Sequence, residues 1–201
     1  MKIGQDLRLL ERLTEAQRGV FSTSDLETAF AERHHAGFVR RVRALEATGV
    51  LRRFIRGWYV TESFDLPTLS QRIAPESYVS FETVLAKQMI VGTRLERTLR
   101  AVKVGKARTY AGLGYQIEHV GVSPQLYFGH AAAGDGVRYA DVEKAVLDTL
   151  YFHLRGVRFV LDIYSDLAFD KLDAHRLVQY LKRYRNPKFV VFAKRVLDLP
   201  I

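Results

Sequence analysis

Near its start the chain concentrates arginine in a pattern suited to phosphate and base recognition. Arg33, Arg40, Arg41, Arg43, Arg52, Arg53 and Arg56 stand between residues 33 and 56 against Glu46 alone, a local charge of +6. A guanidinium can hold the O6 and N7 of guanine through two parallel hydrogen bonds, or take a phosphate in the same forked way. A solvated helix surface ordinarily mixes Glu with Lys. Here arginines are separated by alanines, which let a helix backbone come close to something negatively charged.

These side chains need a helix and a ribbon to aim them. On a helical wheel Phe38, Val42 and Leu45 cluster on one side. Arg40, Arg43, Ala44 and Ala47 fall opposite, with Arg41 at the margin. Gly49 stops this helix. Residues 50–55 and 58–60 then read as strands around a tight Arg56-Gly57 turn. Upstream, residues 5–18 form an amphipathic helix ended by Gly19, and Val20-Phe21 is a short extended connection. Ser24 with Glu27 fits a capping box opening a second helix through Leu26, Ala29 and Phe30. Three helices followed by a hairpin is the order of a winged helix-turn-helix, assigned to residues 1–62.

On that scaffold Arg40 and Arg43 are candidates for base edges, with Arg41 beside them. Arg52, Arg53 and Arg56 lie on the wing, for phosphate or minor-groove contact. Strand alternation puts Arg52 and Arg53 on opposite faces, so one of the pair is expected to reach DNA. Ser22, Thr23 and Ser24 either cap the second helix or offer its N-terminus to a phosphate. His35 suits a turn or a phosphate contact. It does not suit a metal, because His34 and His35 point about 100° apart on a helix.

Residues 63–74 read as a linker, with Pro67 opening a short helix, and residues 75–201 as a second, α+β unit. Its expected helices begin at Ser80, at Asp141 and near Asp170, the last running to Arg185. Strands are expected at 102–104, 116–120, 125–128 and 137–139, giving a small, mostly antiparallel sheet. Residues 131–136 read as a loop, 157–164 as a strand or a connection, and 189–199 as a helix or a strand.

Other constellations carry less chemistry. Asp141 and Asp148 share a helix face while Glu143 points away, and Asp141 suits a first helical turn. A metal-dependent nuclease on these carboxylates is one alternative. Asp162, Asp166 and Asp170 are spaced in fours but do not sit on a readable helix, and His119, His130, His153 and His175 are scattered. Basic clusters at 94–108 (Arg94, Arg97, Arg100, Lys103, Lys106, Arg108) and at 182–195 are either further contacts for an acidic partner or solvated faces. Tyr110 and Tyr115 either stack on bases or pack.

Composition limits the classes. A 48% hydrophobic, 11% aromatic chain is no disordered tail. The net charge of +9 and a pI near 9.8 favour a polyanionic partner. The absence of Cys removes disulfides and thiolate chemistry and fits a reducing, cytoplasmic setting. The N-terminal residues do not read as a signal peptide, and no apolar run approaches the roughly 18 residues of a membrane span. No cofactor is expected.

Several blocks resemble the AbiEi-type antitoxin family of abortive-infection, type IV toxin–antitoxin systems. They are residues 21–26 (FSTSDL), 45–51 (LEATGVL), 56–60 (RGWYV), 74–86 (APESYVSFETVLA) and 137–148 (VRYADVEKAVLD). The resemblance spans roughly residues 20 to 150, and the tail matches no family pattern. It implies a winged-helix domain that represses its own operon by binding double-stranded DNA at the promoter. It also implies a C-terminal domain that opposes a nucleotidyltransferase-type toxin. Two protomers on an inverted repeat are expected. The alternative is a winged-helix regulator whose second domain senses a ligand or partner.

Overall fold

The computed structural model describes residues 3–32, 34–92 and 96–200. Arg33 of the arginine-rich stretch and Arg94 of the first basic cluster lie outside the described residues. The chain is α+β and divides into two compact units, the first running to Leu69 and including Tyr110–Gln116, the second comprising the rest.

In the first unit α1 (Ile3–Gln17) is followed by β1 (Val20–Ser22), α2 (Thr23–Phe30), α3 (His35–Ala47), β2 (Arg52–Ile55) and β3 (Trp58–Val60). Residues 20–21, expected to be a plain connection, are a strand, because Val20 and Phe21 pair antiparallel with Val60 and Tyr59. The resulting sheet has the order β1-β3-β2. Gly19 makes this entry possible. Its φ is +69°, and a Cβ there would lie 2.4 Å from Thr61 Oγ1 and 2.9 Å from the Phe64 Cα. The capping box of α2 is Ser22 with Asp25 rather than Ser24 with Glu27. Ser22 Oγ accepts from the Asp25 N–H at 3.1 Å, and the Ser22 N–H donates to Asp25 Oδ2 at 2.6 Å. The helix starts two residues early because Ser22 is the last paired residue of β1, so the chain turns straight from strand into helix. As the wheel required, α3 buries Phe38, Val42 and Leu45, which join Leu10, Phe21, Leu26, Phe30, Leu51 and Tyr59 in one core.

The chain leaves the first unit within α4 (Leu66–Ile73), which occupies most of the expected linker. Then come β4 (Tyr78–Val79), α5 (Phe81–Lys87), β5 (Thr98–Val104), β6 (Arg108–Gly112), β7 (Tyr115–Val122), β8 (His130–Ala132), β9 (Arg138–Ala140), α6 (Val142–Leu154), α7 (Ala174–Leu181) and α8 (Pro187–Val196). Among the described residues six strands form a mixed sheet of order β6-β7-β5-β4-β9-β8, with β4 and β9 parallel. Three expectations are revised. Residues 125–128 are no strand: Pro124 opens a 3-10 turn over 124–126. The strand β8 begins the expected 131–136 loop. The helix expected from Asp170 to Arg185 is only Ala174–Leu181, capped by Asp173, which accepts from the Arg176 N–H at 3.0 Å.

One buried ion pair ties this second unit together. Lys144 and Asp148, a turn apart on α6, are 0% and 1% exposed, with Nζ 2.5 Å from Oδ1. Asp148 Oδ2 accepts from Tyr78 OH at 3.1 Å and Ser80 Oγ at 2.9 Å, so the carboxylate holds β4 and the start of α5. Ser80 stands at the N-cap position, but its hydroxyl serves Asp148 instead of the helix. The Lys144 ammonium also donates to Tyr184 OH at 3.3 Å and sits 4.6 Å from the Phe128 ring centroid. Burial drives the Asp148 carboxyl upward, opposed by Lys144 and the two hydroxyl donors. Truncating one member of a buried pair strands the other charge, at a cost of about 3–5 kcal/mol. Asp148→Ala is therefore expected to lose stability on that scale in urea unfolding. Lys144→Met added to Asp148→Ala should restore a large part of it; a double variant no more stable than Asp148→Ala would contradict the stranded-charge account.

Candidate nucleic-acid interface

The structure sorts the arginines by what holds them. Arg41 is drawn inward. Its Nε donates to Asp6 Oδ2 at 3.0 Å, its Nη2 to Asp6 Oδ1, and its Nη1 to the Phe30 carbonyl at 2.9 Å. Glu32 lies 3.7 Å from the same guanidinium, which covers the Phe30 ring at 4.5 Å. The Asp6 hydrogen bond, with the Asp6 and Glu32 charges, raises the Arg41 pKa against burial. Arg41 therefore docks α1, α2 and α3 to one another and is not offered to a ligand, which revises its place in the expected DNA-contacting set.

With Arg41 turned in, Arg40 and Arg43 turn out. Both are exposed, as are Ala36 and Ala47 on the same helix, so the outer surface of α3 is cationic and low in relief. His35 is exposed at the first residue of α3, with its ring centroid 6.4 Å from that of Phe38. The β2–β3 hairpin adds Arg56, exposed at the turn, and Arg53, whose side chain is 58% exposed. Arg52 points the other way. It is half-buried beside Leu10, Thr14 and Thr61, its Nε sealed from solvent without a hydrogen-bond partner among the described residues. The alternation expected from the strand thus chooses Arg53 over Arg52.

The start of α2 is also sorted. The hydroxyl of Ser22 is occupied by its cap. Thr23 donates to the Gly57 carbonyl from its N–H at 2.9 Å, with its hydroxyl 3.4 Å away, and so pins α2 to the hairpin turn that carries Arg56. Ser24 is the exposed member of the three. Sequence reasoning missed Asp6, which lies 35 residues from Arg41 with no local signal of the pairing. It also missed Tyr59 as a partner of Arg53, although their cross-strand register follows from the hairpin.

The other constellations are absorbed by structure. Asp141 caps α6 and accepts from Tyr180 OH at 2.5 Å; Glu143 accepts from the Asp173 N–H and Arg176; Asp148 is sealed in its network. Asp162 and Asp166 bond their own turn. His119 is buried with Nε2 2.8 Å from Ser70 Oγ, and burial, aided by Lys103, pushes its imidazole down to about 4. His130 stacks on Tyr78 and His153 on Phe192. Among the described residues no group of three His, Asp or Glu side chains is placed to hold a metal ion. In the first basic cluster Arg100 is held by Glu82 at 2.5 Å and Glu118 at 2.7 Å, while Arg97, Lys106 and Arg108 are exposed. In the second, Arg183 covers the Phe128 ring, and Lys182, Arg185, Lys188 and Arg195 are exposed. Tyr115 packs edge-on against Phe64 at 5.0 Å. Among the described residues no helix is long and apolar enough to cross a membrane.

No protein-family model matches the sequence, and no curated protein matches it. Among solved structures, the crystal structure of the RV2827C protein from Mycobacterium tuberculosis is similar, with a TM-score of 0.64 and 12% sequence identity. The match covers 96% of this chain and 75% of that one. At that identity the likeness is one of fold alone.

Because Asp6 is 4% exposed on its side chain and Arg41 16%, Asp6→Ala leaves a largely buried guanidinium with only Phe30 and Glu32 to hold it. A loss of about 3 kcal/mol is expected in urea unfolding. Arg40→Ala, on the exposed face, should change stability by less than about 0.5 kcal/mol. A destabilised Arg40→Ala beside an unperturbed Asp6→Ala would reverse the sorting.

Proposed function

We propose that this chain is a DNA-binding regulator in which the first unit acts as a winged helix-turn-helix: α3 enters the major groove and the β2–β3 hairpin serves as the wing. The observation that carries this reading is the exposed pair Arg40 and Arg43, one helical turn apart on a helix with exposed alanines, followed by a hairpin on which Arg53 and Arg56 are also exposed. Arg40 and Arg43 reach base edges, Arg53 and Arg56 take backbone phosphates, and Ser24 with His35 lies near enough in sequence to the helix starts to add backbone contacts. Two protomers bind an inverted repeat in the protein's own promoter.

The resemblance of residues 20–150 to AbiEi-type antitoxins extends the reading. The chain then represses its own operon and counters a nucleotidyltransferase-type toxin encoded beside it, with the second unit responsible for the antitoxic effect.

Each bidentate arginine–guanine contact is worth about 1–3 kcal/mol. Arg40→Ala/Arg43→Ala is expected to weaken binding to the promoter by at least about tenfold, to erase the preference over unrelated DNA, and to flatten the dependence of log K on log salt. An unchanged salt slope in anisotropy titrations would remove both residues from the DNA contact. The antitoxin half is tested separately. Co-expression with the adjacent nucleotidyltransferase should relieve its growth arrest; persistent arrest would leave a regulator without an antitoxin role.

A further inference from the structure

Among the exposed arginines of the candidate face, Arg53 is held and the others are not. Arg40, Arg43 and Arg56 make no hydrogen bond or ion pair with another described residue. Arg53, by contrast, donates from Nη2 to Tyr59 OH at 3.1 Å, and its guanidinium lies 5.5 Å from the Tyr59 ring centroid. Its Nε stands 3.9 Å from Glu46 Oε1, at the last turn of α3. Arg53 and Tyr59 are direct cross-strand partners in the β2–β3 register. Tyr59 is itself 5% exposed and packs in the core with Phe21 and Leu26. A phenylalanine would fill that core position equally well, so what tyrosine adds is a hydroxyl reaching a side chain that is still largely in solvent.

A free arginine gives up rotamer freedom when it binds, whereas one already fixed gives up less. We propose that Tyr59, with Glu46, is a positioning residue that holds the Arg53 guanidinium as a preset contact to a backbone phosphate beside the exit of α3. This rests on the DNA-binding reading above. Phosphate is the favoured target because Arg53 lies on strand β2, off the face of α3. Its Nε–Nη2 edge is taken by Glu46 and Tyr59, leaving the Nη1 end to meet one more group. A phosphate contact carries no sequence information, so its loss is felt equally on any duplex.

The test uses the full chain, a duplex from its own promoter and a duplex of scrambled sequence, with affinity read by anisotropy from about 50 to about 200 mM salt. Tyr59→Phe keeps the charge and the core volume and removes only the hydroxyl. It is expected to weaken binding to both duplexes by about fivefold with the salt slope unchanged. Arg53→Ala, at an exposed position, should lower the slope by about one. If both variants bind as the parent does while Arg40→Ala/Arg43→Ala loses binding, the positioning role is overturned and the DNA-binding reading stands. If Tyr59→Phe weakens binding only as far as thermal stability falls, and Arg53→Ala leaves the slope unchanged, the hydroxyl is structural and the proposal fails. If the parent protein binds neither duplex, both fall together.

Discussion

The Asp6 carboxylate decides how α3 sits, and through α3 which charges the first unit can present. Three arginines within four residues of one helix cannot share a face. Advancing about 100° per residue, Arg40 and Arg43 end about 60° apart, while Arg41 lies about 160° from Arg43. Sending Arg41 inward therefore sends its two neighbours outward. A buried guanidinium is tolerated only with matched acceptors, and Asp6, the Phe30 carbonyl and Glu32 supply them. The same interaction fixes α1 against α3 and closes the core around Phe38 and Leu45.

The second unit follows the same logic with other residues. Lys144 and Asp148 are fully enclosed, and their remaining polar demands are met by Tyr78, Ser80 and Tyr184, from β4, from the start of α5 and from the segment after α7. The carboxylates that looked most like a reactive set on paper are thus the ones most completely committed to holding the fold. Glu82 and Glu118 do the equivalent for Arg100, so the first basic cluster loses one of its charges to the interior. Chemistry-bearing residue types and chemically available residues are different sets here, and burial separates them.

How far the sequence spoke for the structure follows from how local each signal was. The face of α3, the Gly49 stop, the Arg56-Gly57 turn and the Arg52/Arg53 split all depend on spacing within a few residues, and each appears as read. The cap of α2 shifted from Ser24 to Ser22 because strand pairing with Trp58 sets where β1 ends. Residues 108–112 are not among the strands expected from the sequence, yet they pair with β7 as β6. At Gly121 a Cβ would come within 1.9 Å of the Gly105 carbonyl oxygen, which is why glycine sits inside a strand. Arg41–Asp6 and Asp148–Tyr78 join residues 35 and 70 positions apart, and no periodicity carries such pairings. Sequence spacing pointed to the outward arginines; the inward one needed the fold.

On the proposed function, α3 and the hairpin of two protomers would read double-stranded DNA as a symmetric pair. Hydroxyl-radical footprinting of the full chain on the DNA upstream of its own gene tests it most directly. Two protected patches about one helical turn apart on one face of the duplex are expected, fading together as salt rises. Uniform cleavage across that DNA, at protein concentrations well above those that saturate ordinary specific sites, would contradict it.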